Sequence, residues 1–255
     1  MSELKNMKYR AFVINLDGSE GRMSSIKSSL DMQMIPFSRV SAVDGRGLSP
    51  DLFDEYHDSK SKKYYGRALS GAEVACYLSH IKALKLFLES DADVGIIFED
   101  DVKIDENFKE VFLDSVDKIL YKNKNWGFIH FRPRRHRYKS FVSNVLDRKI
   151  YQLHEFPVHT GGIAYSRAGA KLAIGGSNTV YAPWDIYLKD IVANNDNGFG
   201  IIPHLIYGSD LKSDISPVGS RGEIIGVTGW LAKQRRIIRH EVLGFYYKVK
   251  NLLTL

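Results

Sequence analysis

The apolar run Val94-Gly95-Ile96-Ile97-Phe98 passes without a break into Glu99-Asp100-Asp101. A β-branched stretch of this length predicts a strand buried in a parallel sheet. A strand needs no charge at its tip, so three acids there predict a carboxylate cluster kept for a cation. In open α/β sheets ligands bind outside the carboxyl ends of the strands, which is where these acids fall. Oxygen donors on a rigid support suit Mn²⁺ or Mg²⁺, ions that keep positions open for substrate phosphates. The plain alternative is a solvated acidic turn, and the apolar run before the acids weighs against it.

The surrounding sequence alternates strand and helix patterns. Tyr9 to Leu16 predicts an opening strand, Ser19 to Met32 a helix capped by Ser19, and Phe37 to Val43 a second strand. Asp51 to Tyr65 is polar and weakly periodic, a loop or short helix. Ser70 to Ser90 predicts a strong helix. Val74, Leu78, Ile81, Leu84 and Leu88 recur at helical spacing there, and Ser70 with Glu73 forms a capping box. Beyond the acids come a helix from Asn107 to Leu120, a strand from Trp126 to Phe131 and a basic loop from Arg132 to Lys139. Strands are predicted for Ile150 to Phe156 and His159 to Tyr165, and helices for Arg167 to Ile174 and Pro183 to Val192. Phe199 to Tyr207 is the last strand, and the turn-rich 209–222 reads as a linker. The order predicts an α/β fold: a mostly parallel central sheet flanked by helices. Residues 1–222 form one domain, and 223–255 form a basic amphipathic helical extension.

Composition narrows the classes. With 255 residues and 44% hydrophobic content the chain can bury a real core, and none of its apolar stretches nears the ~20 residues of a membrane span. The start, Met1-Ser2-Glu3-Leu4-Lys5, lacks the apolar region of a signal peptide. One cysteine, Cys76, leaves no internal disulfide, fits a reducing compartment and reads as a packed thiol. The net charge of +6 gathers near the end: Lys233, Arg235, Arg236, Arg239, Lys248 and Lys250 stand against Glu241 alone. Leu231, Ile238, Val242, Phe245, Val249 and Leu252 share one helical stripe among them. That pattern predicts a helix lying on an anionic membrane surface, with packing on the domain or on a second subunit as the competing expectation. Nucleic acid is disfavoured as a partner, since the basic excess lacks interleaved stacking aromatics on a sheet.

Four local patterns occur in order: Ile14-Asn15-Leu16-Asp17 followed by Arg22; Ala42-Val43-Asp44-Gly45; Leu69-Ser70-Gly71-Ala72-Glu73 with Cys76-Tyr77-Leu78-Ser79-His80; and Ile97-Phe98-Glu99-Asp100-Asp101-Val102. Together they resemble glycosyltransferase family 25, the group of lipooligosaccharide and related sugar transferases. The resemblance is strong over residues 9–110. It continues more weakly through Gly161-Gly162-Ile163-Ala164-Tyr165 and Pro183-Trp184-Asp185 to Tyr207. One departure is visible: the helix opening usually written Gly-Glu is Gly71-Ala72-Glu73 here.

The resemblance implies a GT-A-like fold, a divalent ion on the acidic motif and a UDP-sugar donor, commonly UDP-galactose, transferred with inversion to form a β-linkage. It implies a lipid-linked oligosaccharide acceptor and a place at the cytoplasmic membrane face. Transfer needs a Lewis acid at the departing diphosphate. Asp101 is assigned as the main metal ligand, with Glu99 beside it because alternate strand residues share a face. Asp100 then turns toward the donor ribose or sugar hydroxyls. His204 is either a third ligand, as in several GT-A enzymes, or a hydrogen-bonded structural histidine.

Asn15, Asp17 and Asp44 are expected to meet the uracil and ribose, unless Asp44 only braces its turn. Arg22 pairs with phosphate or is a solvated helix charge. Ser79 and His80 are unfavourable in mid-helix unless they face a ligand or partner, and the resemblance turns His80 to the donor. Gly161 and Gly162 let backbone approach the transferred sugar, or form a bulge. An inverting transfer needs a base, for which Asp185 is chosen with Glu155 in reserve. Trp184 offers a flat face to an acceptor sugar or is a core aromatic. A metal-dependent phosphoester hydrolase and a non-catalytic membrane-peripheral protein are the alternatives.

Overall fold

The computed structural model describes residues 7–133, 137–208 and 226–253. Strand β1 (Tyr9–Asn15) leads through α1 (Glu20–Met32) to β2 (Phe37–Ser41). A 3-10 turn (Pro50–Leu52) and the short α2 (Asp58–Tyr64) precede the long α3 (Gly71–Glu89) and the acid-tipped β3 (Val94–Glu99). Then follow β4 (Val102–Ile104), α4 (Phe108–Lys122), β5 (Phe128–His130), β6 (Lys139–Val145) and β7 (Arg148–Leu153). The chain continues through β8 (Gly162–Ser166), α5 (Arg167–Gly175), α6 (Trp184–Asn195), β9 (Gly198–Ile202) and β10 (Ile206–Gly208) to α7 (Gly226–Leu253).

The central sheet has eight strands in the order β2-β1-β3-β8-β5-β9-β7-β6. Six run in one direction, and only β8 and β7 oppose them, so the expected mostly parallel α/β sheet is present. Alternate residues of β1 face opposite layers, as strand geometry requires. Ala11 and Val13 pack with Ile26 of α1 and Phe108 and Phe112 of α4, while Phe12 and Ile14 pack with Val74, Leu84 and Phe87 of α3. β3 is buried through Phe98 because helices cover both faces.

Several boundaries differ from expectation. Ser19 sits at the N-cap of α1, but its side chain makes no cap bond there. Its carbonyl instead accepts from Asn15 Nδ2 at 3.0 Å. The α3 capping box is present in full. Strand β6 was not foreseen, and it pairs with β7 across a turn in which Leu146 adopts φ 48°. The single last strand is two: β9 ends at Ile202, the Ile202–Pro203 peptide is cis, and β10 leaves the main sheet to pair with β4. The linker expected over 209–222 lies outside the described residues.

Helix α7 is present and lies against α2, α6 and β6. Among the described residues, no helix is long and apolar enough to cross a membrane.

Candidate active site

Strand β1 leads to β2 on one side and β3 leads on toward β5 on the other, so the chain leaves β1 and β3 in opposite directions and a crevice opens between their ends. An open cleft of about 650 Å³ lies there, lined among others by Arg22, Asp44, Arg46, Cys76, His80 and the three acids Glu99, Asp100 and Asp101.

Each acid has a different environment. Glu99 Oε1 accepts from Thr160 Oγ1 at 2.6 Å and meets His80 Nε2 at 3.2 Å. Burial opposes its ionisation, but the His80 and Thr160 contacts outweigh that and hold its carboxyl below the usual range. Asp100 Oδ2 accepts from Asn15 Nδ2 at 2.6 Å, and Arg22 Nη1 lies 3.6 Å from Oδ1. Asp101 is pushed up to about 6, first by burial and then by the charges of Glu99 and Asp100. A buried carboxyl raised further by two like neighbours sits where negative charge is crowded. A divalent cation relieves such crowding, so the acidic motif fits one.

Among the described residues Cys76, His80 and Glu99 also converge in the cleft, with ligand atoms within 4.8 Å of one another. A thiol and an imidazole beside a carboxylate suit a softer ion than Mn²⁺. Burial, reinforced by the charges of Glu99 and Asp185, holds the Cys76 thiol well above its usual value. It is therefore a packed, protonated thiol in the absence of metal.

Some donor-site expectations change role. Both Asn15 amide hydrogens are committed, to Asp100 and to the Ser19 carbonyl, while its oxygen accepts from Arg39 Nε at 2.8 Å. Asn15 thus positions Asp100. Asp17 lies outside the cleft lining and is exposed, taking Arg39 Nη2 at 2.5 Å and Ser41 Oγ at 2.9 Å. Those two bonds hold its carboxyl below the usual range. Asp44 does line the cleft, paired through both oxygens with Arg46, which lines it too. Ser79 Oγ donates to the Ala75 carbonyl at 2.7 Å and accepts from the Val43 amide at 2.9 Å, clamping the β2 exit onto α3.

Gly161 and Gly162 approach this chain itself. A Cβ on Gly161 would lie 2.9 Å from Val102 Cγ1, and one on Gly162 would lie 2.6 Å from Ile206 Cδ1. The Gly161 carbonyl accepts from the Glu99 amide at 3.0 Å, which pins the motif to the start of β8.

Of the residues expected to face an acceptor, Asp185 lies in the first turn of α6, and its carboxylate accepts from the amides of Ile186 at 2.7 Å and His159 at 3.3 Å. Burial raises its pKa against those two donors, and the charge of Glu99 adds to the rise. The reserve candidate Glu155 is held by Lys189 at 2.7 Å. Trp184 is 2% exposed and stacks on His80 with ring centroids 5.6 Å apart, so no face of it is open to a sugar. Its part is to hold His80 toward Glu99.

His204 does not join the acids. In the antiparallel β4–β10 pair Gly208 stands opposite Val102 and Ile206 opposite Ile104, so Gly208 is the end beside Asp101. His204 lies past the far end, where the neighbouring Leu205 carbonyl accepts from the Asp105 amide.

Two residues were missed. Thr160 holds Glu99, and His159 adopts φ 102°, a conformation costly for a residue with a side chain. That turn sends the His159 amide to Asp185 and its carbonyl to His130 Nε2 at 2.8 Å. The polar pair directly before Gly161-Gly162 was the available signal, hidden by assigning a strand from His159.

The model of the family described as glycosyltransferase family 25 (LPS biosynthesis protein) matches residues 8–185, which takes in every element from β1 to the opening of α6. Human procollagen galactosyltransferase 2 is 25% identical over 174 residues, covering 65% of this chain and 27% of that protein. A rat protein named as a probable inactive glycosyltransferase 25 family member 3 is 32% identical over 127 residues, covering 47% and 22%. The chain thus spans about a quarter of the length of these curated relatives. A solved glycosyltransferase involved in glycosylation of the major capsid of PBCV-1 aligns at TM-score 0.34 and 10% identity, over 65% of this chain and 63% of that one, too slight a likeness to carry an argument. On the family match, this chain belongs to glycosyltransferase family 25.

Proposed function

We propose that this protein transfers a hexose from a UDP-sugar to a hydroxyl of a surface glycan, with inversion at the sugar carbon and with Mn²⁺ or Mg²⁺ bound. UDP-galactose is the donor of choice because several relatives are named galactosyltransferases. A lipid-linked oligosaccharide is the acceptor of choice because the family description names LPS biosynthesis. The observation that carries the reading is the placement of three successive acids, Glu99, Asp100 and Asp101, in the lining of the cleft at the β1/β3 crevice.

Asp101 and Glu99 would hold the ion, which when bound supplies positive charge against the departing diphosphate. The other roles belong to the chain. Asn15 and Arg22 fix Asp100 at the cleft wall, within reach of donor hydroxyls. Thr160 and His80 fix Glu99. Asp185 accepts the proton of the attacking hydroxyl, and its burial makes it a stronger base than an exposed carboxylate.

Incubation with UDP-galactose, UDP-glucose or UDP-N-acetylglucosamine, with and without Mn²⁺, tests the reading through UDP release and thermal shift. Mn²⁺-dependent stabilisation by a UDP-sugar, with slow UDP release, is the expected result. Hydrolysis of simple phosphate esters without nucleotide preference would replace the reading with a phosphoesterase. Indifference to both metal and nucleotide would leave a non-catalytic family member.

A further inference from the structure

Helix α7 docks by its polar edge and turns its apolar edge outward. Its buried positions are Gly229, Arg236, His240 and Gly244, which recur at helical spacing. Arg236 Nη1 donates to the carbonyls of Tyr64 and Tyr65, each at 3.2 Å. Asp190 of α6 accepts from Arg239 at 3.0 Å and meets His240 Nε2 at 2.7 Å. The opposite edge carries Leu231, Ile238, Val242, Phe245, Val249 and Leu252, all exposed, with Val242 at 60% and Phe245 at 59%. Surface helices of globular proteins ordinarily present the reverse arrangement. From Leu231 to Leu252 the stripe runs about 32 Å along the helix, far beyond a scattered exposed side chain.

We propose that this edge seats α7 in the headgroup layer of an anionic phospholipid bilayer. Charge complementarity selects that occupant. Arg235 and Lys248 project on opposite flanks of the stripe, and the one acid of the helix, Glu241, lies within electrostatic reach of Arg137. Exposed Trp230 and Tyr246 border the stripe on either side, at the depth where amphipathic rings meet headgroups. A second copy fits worse. It would bring an identical basic excess up to this one, with no acid on its helix beyond its own Glu241. The inference stands apart from the transferase reading, since it uses none of the cleft residues.

Flotation of the full chain with vesicles tests it. Binding to phosphatidylglycerol–phosphatidylcholine vesicles, and not to phosphatidylcholine alone, is expected. Trp126 and Trp184 are buried, so a blue shift of tryptophan emission on binding reports Trp230. The double variant Ile238→Asp, Val242→Asp should weaken partitioning by about tenfold or more. Arg235→Glu with Lys248→Glu should weaken it about as much, as should raised salt. Both pairs lie on exposed positions or flanks, so circular dichroism and the melting midpoint should match the parent. Failure to float on anionic vesicles, equal binding to neutral ones, or binding untouched by the apolar-edge variant would each overturn the proposal. So would a parent dimer that this variant turns into a monomer.

Discussion

Asn15 Nδ2 donates to Asp100 Oδ2 at 2.6 Å, joining the ends of two neighbouring parallel strands across the mouth of the cleft. The bond fixes the middle acid by a residue that has no donor left for a ligand. Asn15→Ala should therefore act through Asp100. A charge-assisted hydrogen bond contributes roughly 1.5–3 kcal/mol, so affinity for Mn²⁺–UDP should fall about tenfold or more in titration calorimetry. An unchanged affinity would show that Asp100 needs no brace.

Asp101 gives a stability prediction with a definite sign. Its folded pKa of about 6 lies above the ordinary aspartate value of 3.8, so ionising it costs folded-state stability as pH rises from about 4 through 6. Asp101→Asn should thus stabilise the metal-free protein above pH 7 by up to about 3 kcal/mol, and by nothing below pH ~4. Urea denaturation at two pH values measures this. The same variant should lose any Mn²⁺-induced rise in melting temperature.

The base assigned to Asp185 must be ionised to act. Its pKa is raised by burial, so turnover should fall as pH drops through a value above the ordinary carboxylate range of about 3.9. Asp185→Asn should leave Mn²⁺–UDP binding intact and lower transfer on the order of 100-fold or more. A pH–rate profile checks the limb. Persistence of that limb in the Asn variant would assign it to another group.

Glu73 is a structural residue. It completes the α3 capping box and takes both terminal nitrogens of Arg67, at 2.8 and 2.6 Å, in a buried pair. Removing one partner of such a pair strands the other charge. Arg67→Ala should destabilise the protein by roughly 3–5 kcal/mol, measured as a shift in the urea midpoint. A change below about 1 kcal/mol would place the pair in the class of exposed bridges.

The parts legible in the sequence were those with strong local signals. β3 was readable because an apolar run of strand length needs burial on both faces, and α3 because apolar spacing and a capping box agree. β6 was hidden because Leu146-Asp147 turns the hairpin without glycine, and Lys139 continued a basic run. The two strands read as one over Phe199 to Tyr207 were separated by Pro203, which has no N–H for a ladder. The acids of the site were legible as chemistry. Their partners were not, because Thr160 and Asn15 reach Glu99 and Asp100 from 61 and 85 positions away. Trp184 and His204 stayed between two readings for a related reason: aromatic and imidazole groups suit a site or a core equally, and only packing and register decide.

The contact of Gly66 with Gly229 has a bearing on the whole molecule. A Cβ on Gly66 would lie 2.6 Å from the Gly229 carbonyl oxygen, and Gly66 itself adopts φ 95°. Main chain there rests on main chain, immediately after Tyr65, which lies within electrostatic reach of Asp185. The long helix is consequently keyed to the body at a fixed tilt, like a keel bolted to a hull. Its outer edge and the acid-lined cleft are thereby set at one height relative to each other, and a single methyl group added at Gly66 would unsettle that height without touching a cleft residue.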